Sequence, residues 1–163
     1  MAETIIIDHQ LSGREKYQAL LPQLKALVQG ETDLVANLGN ILSALHYAFG
    51  FHWTGCYLVR DNELVLGPFQ GPVACTRIGL GKGVCGTAWK ENQLLNVPEV
   101  DEFPGHIACS ALSRSELVLP VHGSDGAVVA VIDIDSEIPA RFSADDEAMM
   151  LEVIRLIEAL PGW

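Results

Sequence analysis

Apolar residues at Tyr17, Leu20, Leu21, Leu24 and Leu27 recur at the spacing of one helical face, so a helix is expected from Tyr17 to Val28. Pro22 falls inside it, where a missing N–H must either kink the helix or mark a restart. Gly30 ends that segment, Thr32 or Asp33 is placed to cap the next, and Leu34, Leu38, Ile41, Leu42, Leu45 and Phe49 give a second amphipathic stripe. The period then changes from helical to alternating. His52 to Arg60 and Glu63 to Leu66 read as strands joined by Asp61-Asn62, with Trp53, Tyr57 and Val59 on alternate positions of the first. A further strand is expected from Pro72 to Ile78, a short helix from Gly83 to Glu91, and a brief strand from Leu94 to Val97 before a Pro-containing loop that ends near Cys109. Glu116 to Val121 and Ala127 to Asp133 form a pair of strands about a turn at Gly123-Ser-Asp-Gly126. The chain closes with a helix capped by Ser143, acidic in its first turn, with Met150, Val153, Ile154, Ile157 and Leu160 as its apolar stripe.

Helices at both ends with strands between them predict an α+β sandwich. Residues 1–163 are expected to form one domain, since no repeat, low-complexity tract or linker divides them. The amino terminus lacks a basic n-region, and no apolar run approaches the ~20 residues of a membrane span, so a soluble, cytoplasmic protein is expected. The net charge of −11 and the lack of a Lys/Arg cluster argue against nucleic acid as partner. A homodimer is an open expectation, resting only on how common symmetric dimers are.

Candidate chemistry begins with sulfur. Cys75, Cys85 and Cys109 each follow small residues, in Gly-Pro-Val-Ala-Cys, Gly-Lys-Gly-Val-Cys-Gly and Gly-His-Ile-Ala-Cys-Ser, which leaves room for a substrate and then for another thiol. Cys85 opens a helix beside Lys82, a setting that favours thiolate; Cys109 ends a loop that could carry a nucleophile into a pocket; Cys75 lies in an expected strand, where burial is the default. Cys56 sits among bulky strand residues and reads as core. Zinc fits poorly, because the one close pair is His106-x-x-Cys109 and Cys75 and Cys85 are far apart in sequence; no metal and no cofactor are expected. Gly81-x-Gly83-x-x-Gly86 satisfies the dinucleotide fingerprint formally, but its neighbouring strands read as an antiparallel meander rather than a parallel β-α-β unit.

The second constellation is acidic. Asp133 and Asp135 close an otherwise apolar strand on one face, about 7 Å apart. The plain alternative is a strand end that has reached solvent. Glu116 likewise stands beside an apolar run. Such a cluster would bind an ammonium group and supply protons, and Trp53 with Tyr57 could line the apolar wall of the same pocket or simply pack in the core.

Together Leu-Gly-Pro-Phe-Gln-Gly from Leu66, Gly-Lys-Gly-Val-Cys-Gly-Thr-Ala from Gly81, Gly-His-Ile-Ala-Cys from Gly105, Ser-Glu-Leu-Val-Leu-Pro from Ser115 and Ile-Asp-Ile-Asp-Ser from Ile132 resemble the free methionine-(R)-sulfoxide reductases, which are GAF domains. The resemblance implies a GAF-like antiparallel sheet, with the N- and C-terminal helices on one face and a ligand pocket under loops on the other. It implies Cys109 as nucleophile, Cys75 as resolving cysteine and Cys85 as a third cysteine able to assist, which reverses the ranking that local sequence gives Cys75 and Cys85. It places the substrate pocket at Trp53, Tyr57, Glu116, Asp133 and Asp135, with the three acids serving both binding and proton supply. Free methionine sulfoxide is the implied substrate, an intramolecular disulfide the implied product form, and thioredoxin the implied reductant. Rival expectations are a GAF small-molecule sensor and a thiol redox switch.

Overall fold

A computed structural model of the protein describes residues 4–8, 10–107 and 110–163. Helix α1 (Gly13–Leu27) starts at Ser12, whose backbone N–H donates to the Glu15 carboxylate at 3.0 Å. It runs unbroken through Pro22, so the restart falls away. The carbonyl that loses its donor belongs to Gln18, an exposed residue. Helix α2 (Leu34–Phe49) takes Asp33 as its cap, accepting from the Ala36 N–H at 2.9 Å, and ends at Gly50 in the left-handed region.

Strands β1 (Trp53–Arg60) and β2 (Glu63–Gln70) form a hairpin through Asp61 and Asn62, both at positive φ, as the sequence predicts, although β2 runs four residues past Leu66. The strand expected from Pro72 to Ile78 is corrected: only β3 (Arg77–Gly79) is regular, and Cys75 lies in the loop before it. The Pro72 carbonyl is instead taken by the Trp53 indole N–H at 3.1 Å, and Pro72 has no N–H to offer a ladder. Helix α3 (Gly83–Glu91), β4 (Leu95–Val97), a 3-10 helix (Val100–Glu102), β5 (Ser115–His122), β6 (Val128–Ser136) and α4 (Ala144–Glu158) complete the chain. Ser143 caps α4, accepting from the Asp146 N–H at 3.2 Å.

The strands pair antiparallel throughout in one sheet of order β3-β2-β1-β6-β5-β4. Each central strand sends alternate residues to opposite faces. Cys56 and Leu58, Leu117 and Leu119, and Ile132 and Ile134 join Leu20, Leu24, Leu38, Leu45, Met150 and Ile154 in the larger core under α1, α2 and α4. Trp53, Tyr57, Val118 and Val131 point the other way, towards α3. The fold is therefore α+β and GAF-like. Among the described residues no helix is long and apolar enough to cross a membrane.

Candidate active site

Strand register assembles the site before any loop is considered. Trp53 pairs with Asp135 and Asp135 with Glu116, so an aromatic ring and two carboxyls stand in one row across β1, β6 and β5. The next row on the same face holds Gly55, Asp133 and Val118. A one-residue slip of β6 would send both aspartates into the apolar helical face, so the core on one side fixes the chemistry on the other.

Gly55 is what lets the indole lie flat. A Cβ there would stand 2.2 Å from Trp53 Cη2 and 2.6 Å from Phe69 Cβ. With that space open, Trp53 stacks between Phe69, at 5.4 Å between centroids, and Tyr57, at 5.9 Å. Gly55→Ala is expected to cost about 2–3 kcal/mol in urea unfolding, as overpacking of a fixed ring does, and to shift tryptophan fluorescence; an unchanged midpoint would show that the ring has room to move. Helix α3 makes a similar close approach: a Cβ on Gly86 would lie 2.4 Å from the Gly79 carbonyl oxygen. That contact brings Cys85 down onto the sheet.

These elements line a pocket between the sheet and the loops beside α3. Trp53, Tyr57, Cys85, Glu116, Asp133 and Asp135 all line it. The structure therefore gathers six of the eight expected site residues. Cys75 does not line the cavity, although its neighbour Ala74 does. Cys109 lies outside the described residues; Ile107 and Ser110, on either side of it in sequence, are both in the cavity wall.

Two of the three acids are buried and Asp135 is half-buried. Glu116 and Asp133 are each 6% exposed, which excludes the reading of β6 as a strand end that has reached solvent. Burial pushes the Glu116 carboxyl well above the usual range, helped by the charges of Asp133 and Asp135. Asp133 rises in the same way, from burial and then the charge of Asp135, and its Oδ1 has no hydrogen-bond partner. Asp135 moves less, to about 6, because the Ser113 hydroxyl and the neighbouring His52 counter its burial. Tyr57 is held as a neutral phenol by burial and by the same carboxylates.

Cys85 departs from its local reading. Its Sγ lies 3.8 Å from Glu116 Oε1, and burial together with the charges of Asp133 and Glu116 raises the thiol well above its ordinary range. The helix start and Lys82 do not outweigh two acids at contact, so this thiol keeps its proton. One donor atom each from Cys85, Glu116 and Asp133 lies within 4.8 Å of the others. Cys56 is fully buried, with its thiol pushed up to about 12, and belongs to the core as expected.

Two histidines enter the site without having been assigned to it from sequence. His106 lines the cavity, its Nε2 4.0 Å from Glu116 Oε2, with its side chain 13% exposed. His52 stands behind Asp135: its backbone N–H donates to the Asp135 carbonyl at 3.0 Å, Nδ1 is 2.8 Å from Glu137 Oε1, and Nε2 is 3.0 Å from Ser110 Oγ. His106 carried a sequence signal, its spacing from Cys109, although only as a metal pair; His52 carried none. Its place depends on the pairing of β6 with β1 and on Ser110 reaching its ring.

The sheet, its flanking helices and an enclosed pocket under loops define a ligand-holding domain of the GAF type, and the GAF domain profile matches residues 33–159. GAF domain-containing protein A of Dictyostelium discoideum is 49% identical over 97% of this chain and 99% of its own. The free methionine-R-sulfoxide reductase of Escherichia coli is 43% identical over 88% of this chain and 87% of its own. The X-ray structure of free methionine-R-sulfoxide reductase from Neisseria meningitidis in complex with its substrate superposes with a TM-score of 0.90 at 46% identity, covering 95% of this chain and 94% of that one. This chain belongs to the GAF family and, within it, to the free methionine-R-sulfoxide reductases.

Proposed function

We propose that this protein reduces free methionine (R)-sulfoxide to methionine, with Cys109 as nucleophile. The observation that carries the reading is the row of Trp53, Asp135 and Glu116 with Asp133 in a single buried cavity, because it combines an apolar wall for an S-methyl group with acids that hold protons near neutrality. A sulfoxide sulfur becomes electrophilic only when its oxygen is protonated or strongly hydrogen-bonded. Glu116, whose carboxyl burial keeps neutral, is suited to donate to that oxygen. Asp135, with its pKa near 6, is largely ionised at pH 7 and suited to the substrate's ammonium. Asp133, with one oxygen unpaired, is free to bridge the two tasks.

In the first step the thiol S–H bond of Cys109 breaks, oxygen passes from the substrate sulfur to the cysteine sulfur, and the proton ends on that oxygen. Methionine sulfur is reduced by two electrons and Cys109 is oxidised to a sulfenic acid. A second thiol then displaces water to form a disulfide, which an external dithiol of the thioredoxin type reduces. Cys75 is suited to be that second thiol: it is disulfide-bonded and sits on a partly exposed loop, whereas Cys85 and Cys56 are free and buried. A dithiol-dependent cycle of this kind suits the reducing cytoplasm.

The test is methionine production from each diastereomer of free methionine sulfoxide and from an N-acetylated methionine sulfoxide amide, with thioredoxin, its reductase and NADPH. Turnover of the free (R) form alone is expected, with Cys109→Ser reducing it to background while still binding substrate. Saturable binding with no methionine formed by the wild type would make the protein a sensor.

A further inference from the structure

Cys85, Glu116 and Asp133 come from three separate elements, α3, β5 and β6, yet one donor atom of each lies within 4.8 Å of the others. The close-pair spacing that marks zinc ligands in sequence is absent here, and the fold supplies the set instead. Glu116 and Asp133 sit diagonally on paired strands, since Glu116 faces Asp135 and Val118 faces Asp133. The close approach of Gly86 to the Gly79 carbonyl holds Cys85 against them. All three residues are buried, at 4%, 6% and 6% exposure. Cys85 Sγ is 3.8 Å from Glu116 Oε1. A tetrahedral zinc ion, with sulfur at about 2.3 Å and oxygen at about 2.0–2.2 Å, sets that edge at about 3.6 Å, so little contraction is needed. Asp133 Oδ1, in the wall of the same cavity, has no hydrogen-bond partner. An unpaired buried oxygen beside a thiol and a second carboxyl is costly when protons alone must satisfy the group, whereas one dication takes all three donors at once.

We propose that Cys85, Glu116 and Asp133 form a zinc-binding site, in which the metal takes the thiolate and one oxygen of each carboxylate, and that zinc held there blocks the reaction. The thiol and any protonated carboxyl give their protons to solvent as the metal enters, and no electron moves. Sulfur decides the class of cation. Mg²⁺ and Ca²⁺ take about six oxygen ligands or more, whereas one of the three donors here is a thiol. Zn²⁺ accepts mixed sulfur and oxygen donors in a four-coordinate shell and leaves its last position to water. The site gives Cys85 a task that the proposed reduction does not. It also sets the metal against the substrate, because zinc would occupy Glu116 and Asp133, the acids that the sulfoxide oxygen and the ammonium need. The inhibition rests on the reductase reading, and the binding does not.

The experiment has two arms, each on the reduced full-length chain freed of added thiol. In the first, Co²⁺ serves as the spectroscopic stand-in and Zn²⁺ as its competitor. One equivalent of Co²⁺ is expected to give a thiolate-to-cobalt charge-transfer band with the visible bands of a four-coordinate ion, and one equivalent of Zn²⁺ to abolish them with a Kd below about 10 μM. Cys85→Ser should lose the charge-transfer band, while Cys75→Ser and Cys109→Ser keep it. Asp133→Asn should weaken zinc at least tenfold, and thermal melts of each variant separate lost ligation from lost folding. In the second arm, single-turnover methionine formation is expected to fall at least tenfold with one equivalent of Zn²⁺ and to return with EDTA. A weaker Kd, a charge-transfer band that survives in Cys85→Ser, or full turnover by the zinc-loaded chain overturns the proposal. Metal binding needs no turnover, so a wild type that ligates cobalt through Cys85 but forms no methionine would sink the reductase reading and leave the zinc site standing.

Discussion

Replacing Asp133 with asparagine is expected to lower methionine formation by about 10²–10³ and at the same time to make the protein more stable at pH 8. The two effects share a cause. Asp133 is buried beside two other carboxyls, its Oδ1 lacks a partner, and its carboxyl titrates well above the usual range. The folded state therefore holds this proton more tightly than the unfolded chain does. Its stabilising contribution is complete below the ordinary carboxylate range and is lost as pH rises through the native titration. Asparagine has no such proton to lose. At pH 8 the variant is expected to melt about 3–8 °C higher than wild type, and near pH 4 the two should coincide within about 2 °C. Thermal melts at both pH values check the stability half, and quenched single-turnover reactions check the rate. A variant that melts lower at pH 8 would mean that Asp133 is held by favourable contacts rather than strained by its neighbours.

The sheet face of the site was legible in sequence, for a physical reason. Asp133 and Asp135 interrupt an apolar strand at the two-residue period, and that period alone places them on the face opposite Ile132 and Ile134. Trp53 and Tyr57, four residues apart, share a face by the same rule. Cap residues did as well: Asp33, Ser143 and the Asp61-Asn62 turn stand where local chemistry put them. What sequence could not show was how rows meet across strands. That Asp135 faces both Trp53 and Glu116 depends on the register of β6 with β1 and β5, and that register is set by the apolar residues on the far side. Loop residues were legible only through resemblance. Pro72 to Ile78 looks extended and apolar, but its Pro72 carbonyl goes to the Trp53 indole instead of a neighbouring strand. Cys85 shows the limit of a one-dimensional argument most clearly. Its neighbours in sequence favour thiolate, its neighbours in space are two acids, and the spatial ones prevail because they act at contact in a water-poor site.

That contrast separates the two remaining cysteines by experiment. Cys75→Ser is expected to release one methionine per chain and then stop, with multiple turnover under thioredoxin falling at least 100-fold, whereas Cys85→Ser should keep cycling within about tenfold of wild type. The argument is one of thiolate supply and reach. A resolving thiol must ionise to attack a sulfenic acid, and Cys85 is buried against Glu116 and Asp133, which oppose its ionisation. Cys75 lies on the loop before β3, partly exposed and two residues past the solvent-facing Val73, where charge is readily solvated and where an external dithiol has access. Methionine counted in a rapid-quench reaction without reductant gives the first stoichiometry. A cyclic 1,3-dione that traps sulfenic acid gives the second, since the trapped adduct should accumulate on Cys109 in Cys75→Ser and stay near background in Cys85→Ser. Were the trap to accumulate instead in Cys85→Ser, the buried thiol would be the one that resolves, and the acids around it would have to release it by giving their own protons to the substrate first.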